Sequence, residues 1–175
     1  MKQILDIPRT AMEVFNMLPE GTRCEVIDNT LYMSPSPTSD HQELLGDIFL
    51  NLTQAVKANQ LGKVYISPLD VYLDDGLTVV QPDVVFISTA KLSQIEKKGI
   101  VGSPDIVLEV LSSNKDYDKK KKFELYQKNQ IPEYIIIDPE NKNVWHYLLR
   151  NGNYEQLPSA DGQLTVKSIN AQFTF

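Results

Sequence analysis

A mixed α/β or α+β architecture, with helices packed on a mixed sheet, follows from three features of this 175-residue sequence. Apolar residues recur at helical spacing in separate stretches, runs rich in β-branched residues are bounded by Gly, Pro or Asp, and the order reads α, ββ, α, ββββ, α, ββ. Between Pro8 and Leu18, the spacing of Met12, Phe15 and Leu18 predicts a short helix that Pro19 stops. The segment TRCEVIDNTLYM, residues 22–33, predicts a hairpin turning at Asp28-Asn29, because both residues tolerate left-handed backbone angles. After the proline-broken SPSPTSD, a long helix is expected from His41 to Ala58, with Asp40 and Glu43 at capping-box spacing. KVYIS, DVYL, DVVFI and DIVLEVLS read as strands. YDKKKKFELYQKN has helical composition, PEYIIID reads as a buried strand, and NVWHYLL follows DPENKN as its hairpin partner. The polar tail carries short β-like pieces.

Composition narrows the function classes. Seventeen Lys and Arg against 23 Asp and Glu leave a formal charge of −6, which excludes a broadly basic nucleic-acid coat. Hydrophobic residues at 42% and charged residues at 23% are the proportions of a folded chain, and the length suits one core, so residues 1–175 are expected to form a single domain. Cys24 is the sole cysteine and has no internal disulfide partner. The start MKQILDIPRT lacks the apolar core of a secretory signal, and no apolar run reaches the roughly 18 residues of a membrane span. A cytoplasmic protein with no membrane role is the expectation.

Two acids stand out against their surroundings. Alternation along DIVLEVLS places Asp105, Val107, Glu109 and Leu111 on one face and Ile106, Leu108 and Val110 on the other, so Glu109 is enclosed by apolar neighbours. A carboxylate there costs several kcal/mol unless a cation, hydrogen bonds or protonation compensate it. It is either a structural partner for a Lys or Arg or part of a site. Asp83 follows Pro82 at the mouth of the apolar run VVFI, as a turn residue or as a second site acid.

Helical geometry adds a histidine and a lysine. At about 100° per residue, Leu44, Leu45, Ile48, Leu52, Ala55 and Val56 form a stripe with His41 in its middle, whereas Glu43 points away and suits a cap. His41 is either a hydrogen-bonded histidine at the helix start or a functional group. In the later helix Phe123, Leu125 and Tyr126 share an arc with Lys122 inside it and Lys119 at its edge, while Lys120 and Lys121 project away as a solvated face. Two acids from neighbouring strands and an inward lysine suit metal-assisted phosphodiester hydrolysis: Asp83 and Glu109 offer hard oxygens for Mg²⁺, and Lys122 would orient water and neutralise a phosphate oxygen.

QPDVVFI, SPDIVLEVLSS and DKKKKFELYQKNQIPEYIIIDP, in that order, resemble the motifs of the putative restriction endonuclease family formerly catalogued as a domain of unknown function, within the PD-(D/E)XK nuclease superfamily. The upstream CEVIDNTLYMSPSPTSDHQELLGDI resembles that family's opening hairpin and first core helix, so the likeness covers roughly residues 20–150. It implies a restriction-endonuclease-like fold, a central mixed β-sheet flanked by helices with an N-terminal hairpin, and a Mg²⁺-dependent centre that cleaves DNA, with Mn²⁺ as a substitute. By the same resemblance Pro82-Asp83 is the PD element, Glu109 is the second acid, and the main-chain carbonyl of Val110 is a further metal ligand. The superfamily pattern wants a lysine two positions after the second acid, where this chain has Leu111. The resemblance places that lysine in the following helix, where Lys122 and Tyr126 match a K-x-x-x-Y element, and His41 matches a histidine near the start of the first core helix.

A metal-dependent endonuclease acting on double-stranded DNA is the leading expectation, with Asp83, Glu109, Lys122 and His41 as its catalytic set. With a net charge of −6, affinity would come from a local patch, Lys115 with Lys119 to Lys122, and from the metal. A homodimer would supply one centre per strand. The competing readings are a degenerate nuclease fold kept as a DNA-binding or protein-interaction module, and a metal-dependent hydrolase of RNA or a smaller phosphate ester.

Overall fold

The computed structural model describes residues 7–112 and 117–175, excluding the side chains of residues 117 and 118. Helix α1 (Ala11–Phe15) precedes a hairpin of β1 (Cys24–Ile27) and β2 (Thr30–Met33). Helix α2 (Ser39–Ala58) leads to β3 (Gly62–Ile66), β4 (Val71–Leu73), β5 (Thr78–Val80), β6 (Val84–Ser88), β7 (Ile95–Glu96), β8 (Gly99–Val101) and β9 (Ile106–Val110). A π-helical turn (Tyr117–Lys122) runs into α3 (Phe123–Lys128). Strands β10 (Glu133–Ile137), β11 (Val144–Arg150), β12 (Asn153–Leu157), β13 (Gln163–Val166) and β14 (Ala171–Thr174) follow.

The central sheet has the order β12-β11-β10-β9-β6-β3, with β9 and β10 parallel and the other neighbours antiparallel. Its middle strands are buried on both faces, which is why VVFI, IVLEV and YIII read as nearly continuous apolar runs. Val84, Phe86, Ile106, Leu108, Ile135 and Ile137 meet the α2 stripe on one face. Leu44, Leu45, Ile48, Leu52 and Val56 are buried there, each contributing about 1.5–3 kcal/mol by leaving water. The other face, including Val85, Ile87, Val107 and Ile136, packs with Leu125 and Tyr126 of α3 and with a second sheet.

That second sheet, β2-β1-β5-β4-β8-β7, differs from expectation. The hairpin and β4 belong to it rather than to the central sheet, and β5, β7 and β8 carry at most three residues each, too few to show a period. The hairpin turn is where the sequence placed it, with Asp28 and Asn29 at φ 51° and 54°. Helix α1 is shorter than predicted: Thr10 caps it in a box with Glu13, and Phe15 is its last residue. Helix α2 begins two residues before His41 because Thr38, not Asp40, is the cap, its side-chain oxygen accepting from the His41 N–H at 3.3 Å. Glu43 is exposed. Among the described residues no helix is long and apolar enough to cross a membrane.

One glycine is required by close approach. Gly62 pairs with Ser88 at φ 154°, and a Cβ there would run into the Ile87 carbonyl oxygen of the adjoining strand. Gly62→Ala is expected to cost about 3 kcal/mol, read from the denaturation midpoint. Gly46, within α2 and with nothing within 4 Å of an added Cβ, should instead gain about 0.5–1 kcal/mol on the same change.

Candidate active site

Asp83 stands at the entry to β6 and is tied to the end of β9. Its Oδ2 accepts from the Val110 N–H at 2.8 Å, and Ser67 Oγ donates to Oδ1 at 3.4 Å. From the first turn of α2, His41 brings Nε2 to 3.3 Å from the same Asp83 Oδ2 and 3.1 Å from the Val110 carbonyl oxygen. Both partners are acceptors, so Nε2 carries the hydrogen. Burial, the strongest single influence, opposes the imidazolium, but the Asp83 carboxylate and the Val110 carbonyl outweigh it and hold the His41 pKa above its ordinary value despite Arg23.

Glu109 lies on the opposite face of β9 from Leu108 and Val110, as alternation requires, and only 3% of it is exposed. Its charge is met by Lys122, whose Nζ lies 2.9 Å from Glu109 Oε1, and by the Tyr126 hydroxyl, which donates to that oxygen at 2.7 Å. Burial and the adjacent Glu109 charge push the Tyr126 hydroxyl well above its ordinary range, so it remains a donor. Lys122 is 5% exposed and lies 3.0 Å from a third acid, Glu25 of β1, which also accepts the Gln81 N–H at 2.8 Å. Sequence reasoning missed Glu25. The signal was present, since a charge inside the apolar strand CEVI is the same anomaly that singled out Glu109.

The lysine run departs in part from the arc that a step of about 100° per residue predicts. Its first four lysines fall in a π-helical turn, where the step per residue is smaller than 100°. Lys122 is buried and Lys120 exposed as expected, but Lys121 is half-buried and donates to the Tyr32 hydroxyl at 2.6 Å. Lys119 stacks over the Trp145 ring at 3.5 Å. Lys115, the remaining member of the expected basic patch, lies outside the described residues.

Asp83, Glu109, Val110, Lys122 and His41 all line one cleft of about 400 Å³, together with Glu25. Its donors toward a metal are carboxylate and carbonyl oxygens, the hard set that Mg²⁺ prefers. Asp83 Oδ2 and the Val110 carbonyl oxygen both meet His41 Nε2–H, so an ion held between them would take the place of that N–H. Among the described residues no three His, Cys, Asp or Glu side chains cluster closely enough to hold an ion by themselves. The carbonyl, water and a substrate phosphate would have to complete the coordination, which is how Mg²⁺ is commonly bound. The residues therefore fit such an ion without forming a closed cage for it.

Comparison with known proteins agrees with this architecture. No curated protein matches the sequence. The crystal structure of a putative nuclease belonging to DUF820 from Anabaena variabilis ATCC 29413 superposes with a TM-score of 0.76 over 95% of each chain at 20% identity, which establishes a shared fold. The model of the Uma2 family, described as "Putative restriction endonuclease", matches residues 11–174. With nearly the whole described chain inside that match, this protein belongs to the Uma2 family.

Proposed function

We propose that the chain is a metal-dependent endonuclease that hydrolyses phosphodiester bonds of double-stranded DNA, with the PD-(D/E)XK arrangement altered by placement of its lysine on α3's leading turn. The observation that carries this reading is the buried Lys122, held at 2.9 Å from Glu109 in the cleft that also contains Asp83. Three separate stretches of chain meet there at the cost of burying charge, which a purely structural pair would not need to place beside an open cleft. Family membership supports a nuclease, and the oxygen donor set supports Mg²⁺, or Mn²⁺ in its place.

Asp83, Glu109 and the Val110 carbonyl would hold the ion, which when bound supplies charge that stabilises the scissile phosphate and its leaving oxygen. Lys122, an ammonium between two carboxylates, donates hydrogen bonds and charge, so its role is to orient water and neutralise a phosphate oxygen. Tyr126 fixes the Glu109 carboxylate, and without an ion the His41 Nε2–H joins Asp83 Oδ2 to the Val110 carbonyl and keeps the two oxygens together. Cutting both strands takes two centres, so a symmetric dimer is the proposed working form.

Supercoiled plasmid is the direct test. Mg²⁺ or Mn²⁺ should convert it to nicked and linear forms, chelator should spare it, and Glu109→Gln should slow cutting by about 10²-fold while circular dichroism stays native. Cutting in chelator, or full activity in that variant, would sink the assignment. Metal-independent binding without cutting would point to the degenerate DNA-binding module instead.

A further inference from the structure

Arg23 enters the cleft two residues before Glu25, and nothing in the roles above uses it. Its Nε is fully buried and has no hydrogen-bond partner, and among the described residues no carboxylate or carbonyl closes on its guanidinium. A buried N–H left without an acceptor costs about 1–3 kcal/mol, a penalty that an incoming acceptor would remove. The surroundings say which acceptor is missing. Lys122, the one lysine of the cleft lining among the described residues, is already held by Glu109 and Glu25, while Asp40, Asp83, Asp138 and Glu140 add negative charge to the walls. A phosphodiester entering this acidic cleft needs an uncommitted cation besides any metal. A guanidinium, planar and able to present two parallel N–H groups, matches phosphate oxygens better than any other side chain. The backbone beneath it is pinned at one point, where the Arg23 carbonyl accepts the Ser34 N–H at 3.0 Å and joins the start of the Ser34–Thr38 wall to the hairpin.

We propose that Arg23 is a substrate-binding residue that docks a backbone phosphate of the nucleic-acid strand in the cleft, beside the phosphate to be cut. The substrate in this statement rests on the nuclease reading, whereas the phosphate site itself rests on Arg23. Arg23 sets position and affinity rather than the chemical step, so its loss should be felt in binding.

The test joins two measurements on the full chain. In nitrogen–proton correlation spectra, inorganic phosphate titrated to tens of millimolar should shift the Arg23 Nε–H signal saturably, that signal being the one of three arginine signals lost in Arg23→Lys. In chelator, Arg23→Met should weaken binding of a short labelled duplex about tenfold and lower the slope of log affinity against log salt by about one, while Arg23→Lys keeps the slope. In cleavage, the Met variant should raise KM with kcat changed only a few-fold. An Arg23 signal unmoved by phosphate, or a Met variant with unchanged affinity and salt slope, overturns the proposal. Plasmid cutting alongside an unmoved Arg23 signal removes this proposal and leaves the nuclease reading in place. A phosphate-dependent shift in a protein that neither binds nor cuts duplex supports the phosphate site and removes the nuclease reading.

Discussion

Lys122→Met is expected to abolish most turnover, by about 10³-fold, and separately to cost about 3–5 kcal/mol of stability. Both effects have one origin. The ammonium sits 2.9 Å from Glu109 and 3.0 Å from Glu25, and each acid is 3% exposed. Removing the cation leaves two nearly buried carboxylates facing each other, which penalises the fold, and deletes the donor proposed to orient the attacking water. The two losses can be separated. Adding Glu25→Gln to the Met variant removes one of the two like charges, so the denaturation midpoint should recover in part while turnover should not. Lys121→Ala is the comparison. That side chain is half-buried between the Tyr32 hydroxyl and the exposed Asp28 carboxylate at 3.5 Å, so it should cost no more than about 1 kcal/mol and leave turnover within a few-fold. Equal loss of turnover in the two single variants would show that neighbouring charge, and not the buried amine, supports the reaction.

The contrast between these adjacent lysines also shows which parts of the molecule can be read from residues alone. Lys122 was legible because Leu125 and Tyr126 define an apolar arc that includes it, and the arc survives even though Tyr117–Lys122 winds as a π-helical turn. Lys121 was not, because its partner Tyr32 comes from the hairpin, 89 residues earlier, and helical periodicity carries no information about what lies across the gap. The same division runs through the fold. Strands β6, β9 and β10 announce themselves because both faces are buried, and α2 does so through its stripe. The second sheet does not, since TVV and GIV are too short to show a period and each is completed by a partner far along the chain, β1 for TVV and β4 for GIV. Glu25 shows a different limit. Its anomaly is visible in CEVI, but a four-residue hairpin strand is usually half-exposed, and only the structure shows all four residues buried beneath the cleft.

Glu133→Ala is expected to cost about 3–5 kcal/mol while leaving kcat intact at temperatures well below unfolding, and this combination separates structural from catalytic buried acids in one sheet. Glu133 pairs across the parallel β9–β10 ladder with Ile106, three positions before the pair Ile136 and Glu109. It lies on the α2 face with Ile135 and Ile137, whereas Glu109 lies on the other. Like Glu109, it interrupts an apolar strand and is completely buried. It is held by one side chain and two main-chain groups: Oε1 accepts from His146 Nε2 at 2.6 Å and the Lys167 N–H at 2.8 Å, and Oε2 accepts the Ser168 N–H at 2.8 Å. These bonds anchor the turn between β13 and β14, so truncation strands three donors and opens a cavity. Burial, the largest single influence, raises the Glu133 pKa, yet the bonds from His146, Ser168 and Lys167 prevail and hold it below the ordinary 4.5. The unfolded chain therefore takes up the proton more readily. The resulting stabilisation is fully present above about pH 4.5 and fades as pH falls through the depressed folded value. Glu133→Gln, which cannot titrate, should flatten the acid limb of stability against pH, measured by denaturant unfolding at successive pH values. An acid limb as steep as in the parent chain would assign that proton uptake to other carboxylates.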